Sequence, residues 1–437
     1  MCKGFNYWAV MPVVDAIMLN VLGVLIAFGI IVFLIRRKYN FGLSLIFGSV
    51  IVGLFSLQTI ELIDIPKAMI QATFYSFEEQ QVFTDTIELA LLMALIYMLA
   101  KLMQETGAIT TLIDSLRTFF SKGGTLGVIP AVYGLMPVPG GALFSAPMIE
   151  EEGTKFGLRQ NQKNFLNVWF RHIWFPVYPI SSAMLLLCLE LANIDIYSLM
   201  LADIPAFIGS ILIGGLFLRH FLRRHPKGNG SPQRKYGGLI YLIPPMLPLG
   251  FYAILQFIGV PQIRSFMLGV ICSILLLFLL IKMPLKKYGQ LIKKAINWKL
   301  PLAIFGIMIF REMFSVSGAN VVIADMIGHL FFPSLILVII IPVLLGVLTG
   351  YNLGAIALSF PLVEPFFSST GVSLVGLSSI VFISSLVGYL ISPIHLCNVL
   401  SSEYLKTDTT RMYRMYLPAA FSLLLLQVVV ILFLFHT

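Results

Sequence analysis

The sequence predicts an all-α polytopic membrane protein, an inverted repeat of two five-span halves, each with a re-entrant helical hairpin and a span broken at its middle. Three observations predict it: the composition, a proline- and glycine-containing stretch that recurs, and the placement of the basic residues. Of the 437 residues, 58% are hydrophobic and 11% are charged, and the mean hydropathy is +0.94. Such a chain suits a bilayer, and about ten of its apolar runs are long enough to cross one as helices.

The first broken stretch runs from Leu135 to Glu152 and reads LMPVPGGALFSAPMIEEE. Pro137, Pro139, Gly140 and Gly141 do not suit a helix interior, because proline lacks the donor and glycine costs backbone entropy. In hydrocarbon a broken backbone is tolerated only where protein buries it or where it lines a wet cavity. The break therefore points to a binding site; a simple kink or a surface loop is the other interpretation.

The stretch recurs in the second half, from Gly346 to Pro365. The matched positions keep their order and a nearly constant spacing: Pro130 with Pro342, Gly134 with Gly346, Ser145 with Ser359, Pro147 with Pro361, Glu150 with Glu364, and Tyr178-Pro179 with Ser392-Pro393. We therefore predict a duplicated chain, with a first repeat over 1–222, a cytoplasmic linker over 223–238 and a second repeat over 239–437.

Ten runs are predicted to cross the membrane: Pro12–Ile35, Phe41–Leu57, Thr84–Met103, Phe165–Leu191, Ser198–Leu218, Leu239–Ile258, Ser265–Ile281, Leu300–Phe314, Leu374–Leu400 and Tyr416–Phe435. Two further segments, 124–149 and 332–363, are predicted to enter the membrane and return as hairpins. The runs over 165–191 and 374–400 carry internal breakers and are predicted to be broken spans.

The basic residues decide between hairpins and crossings. If both segments return to the side they entered, most of the 29 lysine and arginine residues lie on one face, as short cytoplasmic loops require. If both cross, that bias is lost. The hairpin arrangement puts both termini outside the inner (plasma) membrane and inverts the second repeat, because each half has an odd number of spans.

At these motifs the chain resembles the ion-transporter superfamily of secondary carriers, which includes divalent-anion:sodium symporters and citrate, gluconate and arsenite permeases. Within it, the chain looks most like an uncharacterised membrane family with an M-P-x-P-G-G-A-x-F-S-A-P motif, here Met136 to Pro147. The resemblance implies inverted repeats, each with a hairpin followed by a span unwound at its middle. The unwound stretches would be Phe175–Ser182 and Gly388–His395.

The resemblance also implies that the hairpin tips hold sodium and substrate through a Ser-Asn-Thr sequence. The matching positions here are Pro139-Gly140-Gly141 and Tyr351-Asn352-Leu353, so that only Asn352, with Thr349 nearby, keeps a polar side chain. Two symmetric sodium sites are therefore not expected.

Arg171 and His172 lie within a predicted span, and an intramembrane charge is a functional hypothesis by default. The guanidinium fork suits a carboxylate or phosphate, or the side chain snorkels to the cytoplasmic face. His172 is a proton carrier or a hydrogen-bonded packing residue. His395 and Asn398 line the site or make ordinary interhelical hydrogen bonds.

The asymmetry of the two halves predicts that the first supplies the anion contact and the second most of the cation contact. The predicted substrate-binding residues are Pro139, Gly140, Gly141, Ser145, Arg171, His172, Tyr178 and Ser181. The predicted coupling-ion residues are Thr349, Asn352, Ser359, Ser392, His395 and Asn398.

We predict a secondary active transporter of a small, anionic metabolite or inorganic anion, coupled to a proton or sodium gradient. An intramembrane enzyme, a lipid-handling protein and a passive channel are the alternatives. The chain lacks H-E-x-x-H, G-x-S-x-G and phosphate-loop motifs, so it is not expected to be an enzyme or an ATP-driven pump. Its expected partners are the bilayer and a small-molecule substrate, without nucleic acid; homodimer formation is left open.

No cofactor or metal is expected beyond a coupling Na⁺ or H⁺. The four cysteines, Cys2, Cys188, Cys272 and Cys397, are scattered without a C-x-x-C spacing. They are interpreted as packing residues with no redox or metal role.

Overall fold

The protein is an all-α polytopic membrane protein with one two-stranded β-hairpin. The computed structural model describes residues 7–116, 123–135, 141–223, 237–319, 322, 333–407 and 409–436. The described helices of the first half are α1 (Tyr7–Arg36), α2 (Phe41–Phe55), α3 (Asp64–Gln71), α4 (Asp85–Glu105), α5 (Ala108–Leu116), α6 (Thr125–Gly134), α7 (Ala142–Lys155), α8 (Gln160–Arg171), α9 (Ser182–Leu186) and α10 (Ile196–Leu222). The two strands are β1 (Tyr75–Ser76) and β2 (Gln81–Val82), which pair antiparallel.

The described part of the second half continues with helices and an isolated β-bridge between Val372 and His436. Its described helices are α11 (Ile243–Leu255), α12 (Gln262–Ile281), α13 (Leu285–Ala295), α14 (Lys299–Val316), α15 (Ser334–Thr349), α16 (Asn352–Val363), α17 (Leu374–Ile391), α18 (Leu396–Tyr404) and α19 (Thr409–Leu434). Short 3₁₀ turns lie at Phe175–Val177, Gly237–Leu242, Gln256–Ile258 and Glu364–Ser369, and one π-turn lies at Leu187–Leu191.

Among the described residues, eight helical segments are long and apolar enough to span a bilayer. They are Leu19–Arg36, Asp85–Glu105, Gln160–Leu191, Ile196–Leu222, Gly237–Ile258, Gln262–Ile281, Leu374–Tyr404 and Met412–Leu434. Of the ten predicted spans, the two others correspond to α2, with 15 residues, and to α14, which carries Arg311 and Glu312. Large apolar side chains such as Phe257 and Phe433 are about 85% exposed, as expected of a surface in contact with lipid acyl chains.

The chain forms two compact units. Unit 1 comprises 1–91, 298–341 and 357–370, and unit 2 comprises 92–297, 342–356 and 371–437. In unit 1, the backbones of α2 and α14 pack closely at Gly42. A Cβ at this position would overlap the carbonyl oxygen of Leu302, so the contact requires glycine. The aromatic rings of Phe28 and Phe310 pack edge to face at 5.5 Å beside this contact.

Unit 2 contains the interrupted helices. After α8 ends at Arg171, the chain passes through a 3₁₀ turn before α9 begins at Ser182. We call residues 172–181 the first interruption. After α17 ends at Ile391, the four residues 392–395 precede α18, and we call them the second interruption. Pro176 and Pro179 in the first interruption and Pro393 in the second lack an N–H donor, so a continuous helix would lose hydrogen bonds at these positions.

Candidate functional site

The first interruption supplies hydrogen-bond donors to the end of α6. The last carbonyl groups of a helix have no partner within it, and burying them without one is costly. Three side chains of the interrupted segment donate to them: Trp174 Nε1 to the Ala131 carbonyl (3.0 Å), Arg171 Nη1 to that of Tyr133 (2.6 Å) and the Tyr178 hydroxyl to that of Leu135 (2.7 Å). These bonds hold the α6 end against the interruption.

The second half makes a corresponding arrangement. Within unit 2, the Ser392 hydroxyl donates to the Val347 carbonyl at 2.7 Å, near the end of α15. Thr349 donates to the Leu345 carbonyl at 2.7 Å. Under the alignment of the two halves, the Ser392–Val347 bond takes the position of the Tyr178–Leu135 bond.

The glycines at matched positions also make matched contacts. A Cβ at Gly134 would overlap the Arg171 carbonyl oxygen, and a Cβ at Gly346 would lie 2.7 Å from the Ser385 carbonyl oxygen. Each glycine therefore lets a helix of the hairpin segment approach the backbone of the interrupted helix that follows it. Arg171 and Ser385 occupy equivalent positions, and only the first half places a charge there.

Gly141 lies against the guanidinium of Arg171, which is 3% exposed. A Cβ at Gly141 would overlap the Arg171 Nη2 atom. The sequence predicts Gly141 as a substrate-binding residue of the first tip. Its φ of −59° is one that any residue adopts, so the space taken by Arg171 is what requires a glycine. The guanidinium thereby lies beside the N-terminus of α7.

Ser145 belongs to a polar cluster between α7, α8 and α18. Its hydroxyl donates to Asn167 Oδ1 at 2.6 Å. Asn167 Nδ2 donates to the Ala142 carbonyl at 2.9 Å and to Ser401 Oγ at 2.8 Å. The sequence analysis did not single out Asn167, yet its amide connects the first helix after the tip with a helix of the second half.

Asn352, the first residue of α16, has no hydrogen-bond partner on either amide atom among the described residues, although it is 4% exposed. Gly350, two residues earlier, has a φ of +59°, which favours glycine, and a Cβ there would lie 3.1 Å from the His395 backbone nitrogen. The second tip therefore packs directly on the second interruption. Asn398 is also buried, and its Oδ1 lacks a described partner.

The two interruptions meet at His172 and His395. Their rings lie 4.9 Å apart between centroids, and the Tyr389 hydroxyl lies 3.3 Å from His172 Nε2. The contacts thus run from Gly141 through Arg171 and His172 to His395 and Gly350, so that these two glycines and both interruptions border one buried polar region of unit 2. Cys397, interpreted from the sequence as a packing residue, lies beside the two histidines.

The remaining predicted residues are placed as follows. Ser181 caps α9, accepting a hydrogen bond from the Met184 backbone at 3.2 Å. Ser359 is buried in the part of α16 that belongs to unit 1 and is not among the residues brought together above. Pro139 and Gly140 lie outside the described residues.

Asp203 is a buried acid that the sequence analysis passed over, although a carboxylate within an apolar run is a visible signal. It is fully buried in α10, where its Oδ1 accepts hydrogen bonds from Ser379 at 2.6 Å and from Gln427 at 3.3 Å. Its Oδ2 has no described partner. Ser379 lies about 15 Å along α17 from Tyr389, at 1.5 Å per residue.

An apolar cavity of about 680 Å³ borders the first interruption. Its lining includes Val128, Ala131, Trp174, Ile211, Leu242 and Met246. It belongs to unit 2 and lies between α6, the first interruption, α10 and α11.

Comparison with known proteins gives a family and a fold. A family model described as "Protein of unknown function (DUF401)" matches residues 18–434. No curated protein matches the sequence. The fold is similar to that in the crystal structure of the YdaH transporter of Alcanivorax borkumensis, with a TM-score of 0.58, 13% identity, and coverage of 88% of this chain and 97% of that one. At this identity the likeness is one of fold alone.

The contact between Gly141 and Arg171 predicts a coupled pair of substitutions. Gly141→Ala should lower the stability of the purified protein by about 1–3 kcal/mol, because the methyl group displaces a buried guanidinium. In an Arg171→Ala background the same change should cost almost nothing, which thermal unfolding of the four proteins in detergent measures. Gly215→Ala is the control, because no atom lies within 4 Å of its Cβ position. Additive costs of the two changes would contradict the contact.

Proposed function

We propose that this chain, which belongs to the family described as protein of unknown function (DUF401), is a secondary active transporter of a small anionic metabolite or inorganic anion. Its fold is similar to that of the YdaH transporter, which supports a role in transport. The observation that carries the proposal is the buried polar region of unit 2 that Gly141, Gly350 and both interruptions border.

The chemistry of this region favours an anion. Arg171 brings a buried positive charge, and a guanidinium suits a carboxylate or phosphate. It lies beside the N-terminus of α7, and the amide of Asn352 lies at the N-terminus of α16 with both polar atoms free of described partners. Helix N-termini carry partial positive charge and unsatisfied N–H groups, which stabilise anions.

Because Asn352 lies at a helix N-terminus, we propose that it binds the substrate and not the coupling ion. The sequence assigned Asn352 to cation binding because oxygen ligands suit an alkali cation. The N-terminus of α16 disfavours a cation, so we assign its amide to the anion together with Arg171. Thr349, Ser392 and Asn398 stay the candidates for a sodium site in unit 2, whereas Ser359 belongs to unit 1.

We infer an inverted repeat with two re-entrant hairpins, over 124–149 and 332–363, as the framework of alternating access. The matched bonds of Tyr178 and Ser392, and the matched contacts of Gly134 and Gly346, support descent of the halves from one unit. In this arrangement 1–222 and 239–437 are the repeats, 223–238 is a cytoplasmic linker, and both termini lie outside the inner (plasma) membrane.

Proton coupling through Asp203 is the form of coupling that the buried side chains favour. Its carboxyl group is enclosed by a serine and a glutamine, without a described cation near enough to form an ion pair. An acidic side chain that faces only neutral groups inside a membrane is a candidate proton carrier, because intramembrane acids mark proton pathways. Sodium coupling is the other form.

A lipid-handling protein is the second candidate function, and the apolar cavity beside the first interruption favours it. Its volume of about 680 Å³ lies within the range of ligand pockets, and its lining suits a hydrocarbon chain. Native mass spectrometry separates the two functions. If the protein handles lipids, a lipid should co-purify with it and be displaced by added lipid. If it transports an anion, adding that anion should not change which lipids are bound.

The test of transport begins with a thermal-shift screen of the purified protein against organic acids, inorganic anions and lipids, because a specific ligand raises the unfolding temperature. A hit is then followed as a radiolabelled solute in proteoliposomes. Uptake driven by an imposed proton or sodium gradient is expected. Stabilisation by lipids alone, with no anion accumulated, would contradict the transporter.

Arg171→Gln should weaken binding of the anion identified in that screen by at least tenfold, because the buried positive charge is lost while a hydrogen-bonding group remains. Asn352→Ala should weaken it less, by the loss of a neutral hydrogen bond. Calorimetric titration measures both. Arg414→Gln, at an exposed position, is the matched control. If Arg171→Gln binds the anion with wild-type affinity, the arginine does not contact the anion, and its role is limited to the hydrogen bond with the end of α6.

Asp203→Asn should fold and bind the anion but lose accumulation driven by a pH gradient, because the amide does not exchange a proton. Substrate exchange across the proteoliposome membrane needs no net proton movement and should persist. Asp85→Asn, at an exposed position, is the control. If proton-driven accumulation survives in Asp203→Asn, this residue does not carry the proton.

A further inference from the structure

Three metal-ligating side chains converge where the two interruptions meet. The nearest ligand atoms of His172, His395 and Cys397 all lie within 4.8 Å of one another, and all three side chains are buried. His172 follows the last residue of α8, whereas His395 and Cys397 lie at the start of α18. The group therefore brings together residues from both halves of the chain, which no local sequence spacing could reveal.

The surroundings of His172 fix which ring nitrogen is available. Its Nδ1 lies 2.6 Å from the Val168 carbonyl oxygen, so Nδ1 carries the proton and donates it. Nε2 then presents its lone pair towards His395 and Cys397, with the Tyr389 hydroxyl at 3.3 Å. A metal-bound histidine usually donates its other ring N–H to a backbone carbonyl or a carboxylate.

His395 lacks the partners that a buried imidazole needs. It is fully buried, and neither ring nitrogen has a hydrogen-bond partner among the described residues. A buried polar atom that is left without a partner is costly. Its backbone is held in place by Gly350, whose Cβ position lies 3.1 Å from the His395 nitrogen. The ring is thus held in position with its nitrogens available.

Cys397 completes the set from a favourable place. It is the second residue of α18, and a helix N-terminus stabilises the thiolate, which is the form that binds metals. Its side chain is 3% exposed, so the thiol is shielded from bulk oxidants.

We propose that His172, His395 and Cys397 bind one thiophilic transition-metal ion, Zn²⁺ or Cu⁺. Imidazole and thiolate are the ligands these ions prefer, whereas Na⁺, Mg²⁺ and Ca²⁺ prefer oxygen. With bonds of about 2.0–2.3 Å, the ligand atoms of a tetrahedral site lie roughly 3.3–3.8 Å apart, so the three side chains close by about 1 Å around the ion.

Three protein ligands leave a coordination position open, as in sites where a metal contacts a small molecule. Tyr389 lies beside the group, since its hydroxyl is 3.3 Å from His172 Nε2 and its ring centroid is 3.9 Å from that of His395. The proposal departs from the expectation that the cysteines only pack and that no metal binds. It does not rest on the proposed function, because metal binding is measured without transport.

Cobalt titration of the purified, reduced and metal-stripped protein, after removal of any histidine tag, tests the site. Co²⁺ bound by a thiolate produces a sulfur-to-cobalt charge-transfer band in the near ultraviolet. We expect the band to saturate at one Co²⁺ per chain and to be removed by Zn²⁺ or Cu⁺. Cys397→Ser should abolish it, and His395→Gln should weaken Co²⁺ binding at least tenfold.

Cys188→Ser is the matched control, because Cys188 is a second buried, free cysteine of the same unit. It should retain the band, and gel filtration with thermal unfolding verifies that each variant is folded. If Cys397→Ser does not fold, two other measurements decide: the Co²⁺ affinity of His395→Gln, and the zinc content of the native protein by mass spectrometry. The absence of a saturable band in wild type, or a band unchanged in folded Cys397→Ser or His395→Gln, would overturn the metal site.

Discussion

The structure depends on how its interrupted helices satisfy their free carbonyl groups. In hydrocarbon no water is available to pair them, so every break must find its donors within the protein. At the end of α6 the donors are Trp174, Arg171 and Tyr178, and near the end of α15 the donor is Ser392. The same side chains that stabilise each break also hold it against the interrupted helix that follows, so the requirements of folding place Gly141 and Gly350 beside the same buried region.

This arrangement explains why one region gathers so many groups that are unusual inside a membrane protein. Gly134 and Gly346 let the backbones approach closely, and Gly141 leaves room for a guanidinium. The close approach brings Arg171, His172 and His395 together with Asn352 nearby. Buried polar groups without partners, such as both amide atoms of Asn352, are costly. A binding site is the physical setting in which that cost is offset by a ligand.

The class of the protein and part of its site could be predicted from the sequence, for reasons that particular residues show. The apolar runs predict membrane helices, and the intramembrane charge of Arg171 marks a site, because both signals are local. Cys397 gives no such signal, since a single cysteine in an apolar helix is most often a packing residue. Its contact with His172 joins positions more than 200 residues apart, which periodicity cannot reveal. Asp203, by contrast, is visible as an acid in an apolar run, and its serine and glutamine neighbours come from distant helices.

The central claim is that two hairpins enter the membrane from opposite sides and meet at this site. Single cysteines at the exposed positions Glu151, shortly after the first tip, and Ser368, after the second, test it most directly when a membrane-impermeant maleimide is applied to intact cells and to inverted vesicles. Cys2 and Cys272 are replaced by serine in the background. The account predicts that Glu151→Cys reacts only from the cytoplasm and Ser368→Cys only from outside. Reaction of both from the same side would contradict the inverted hairpins.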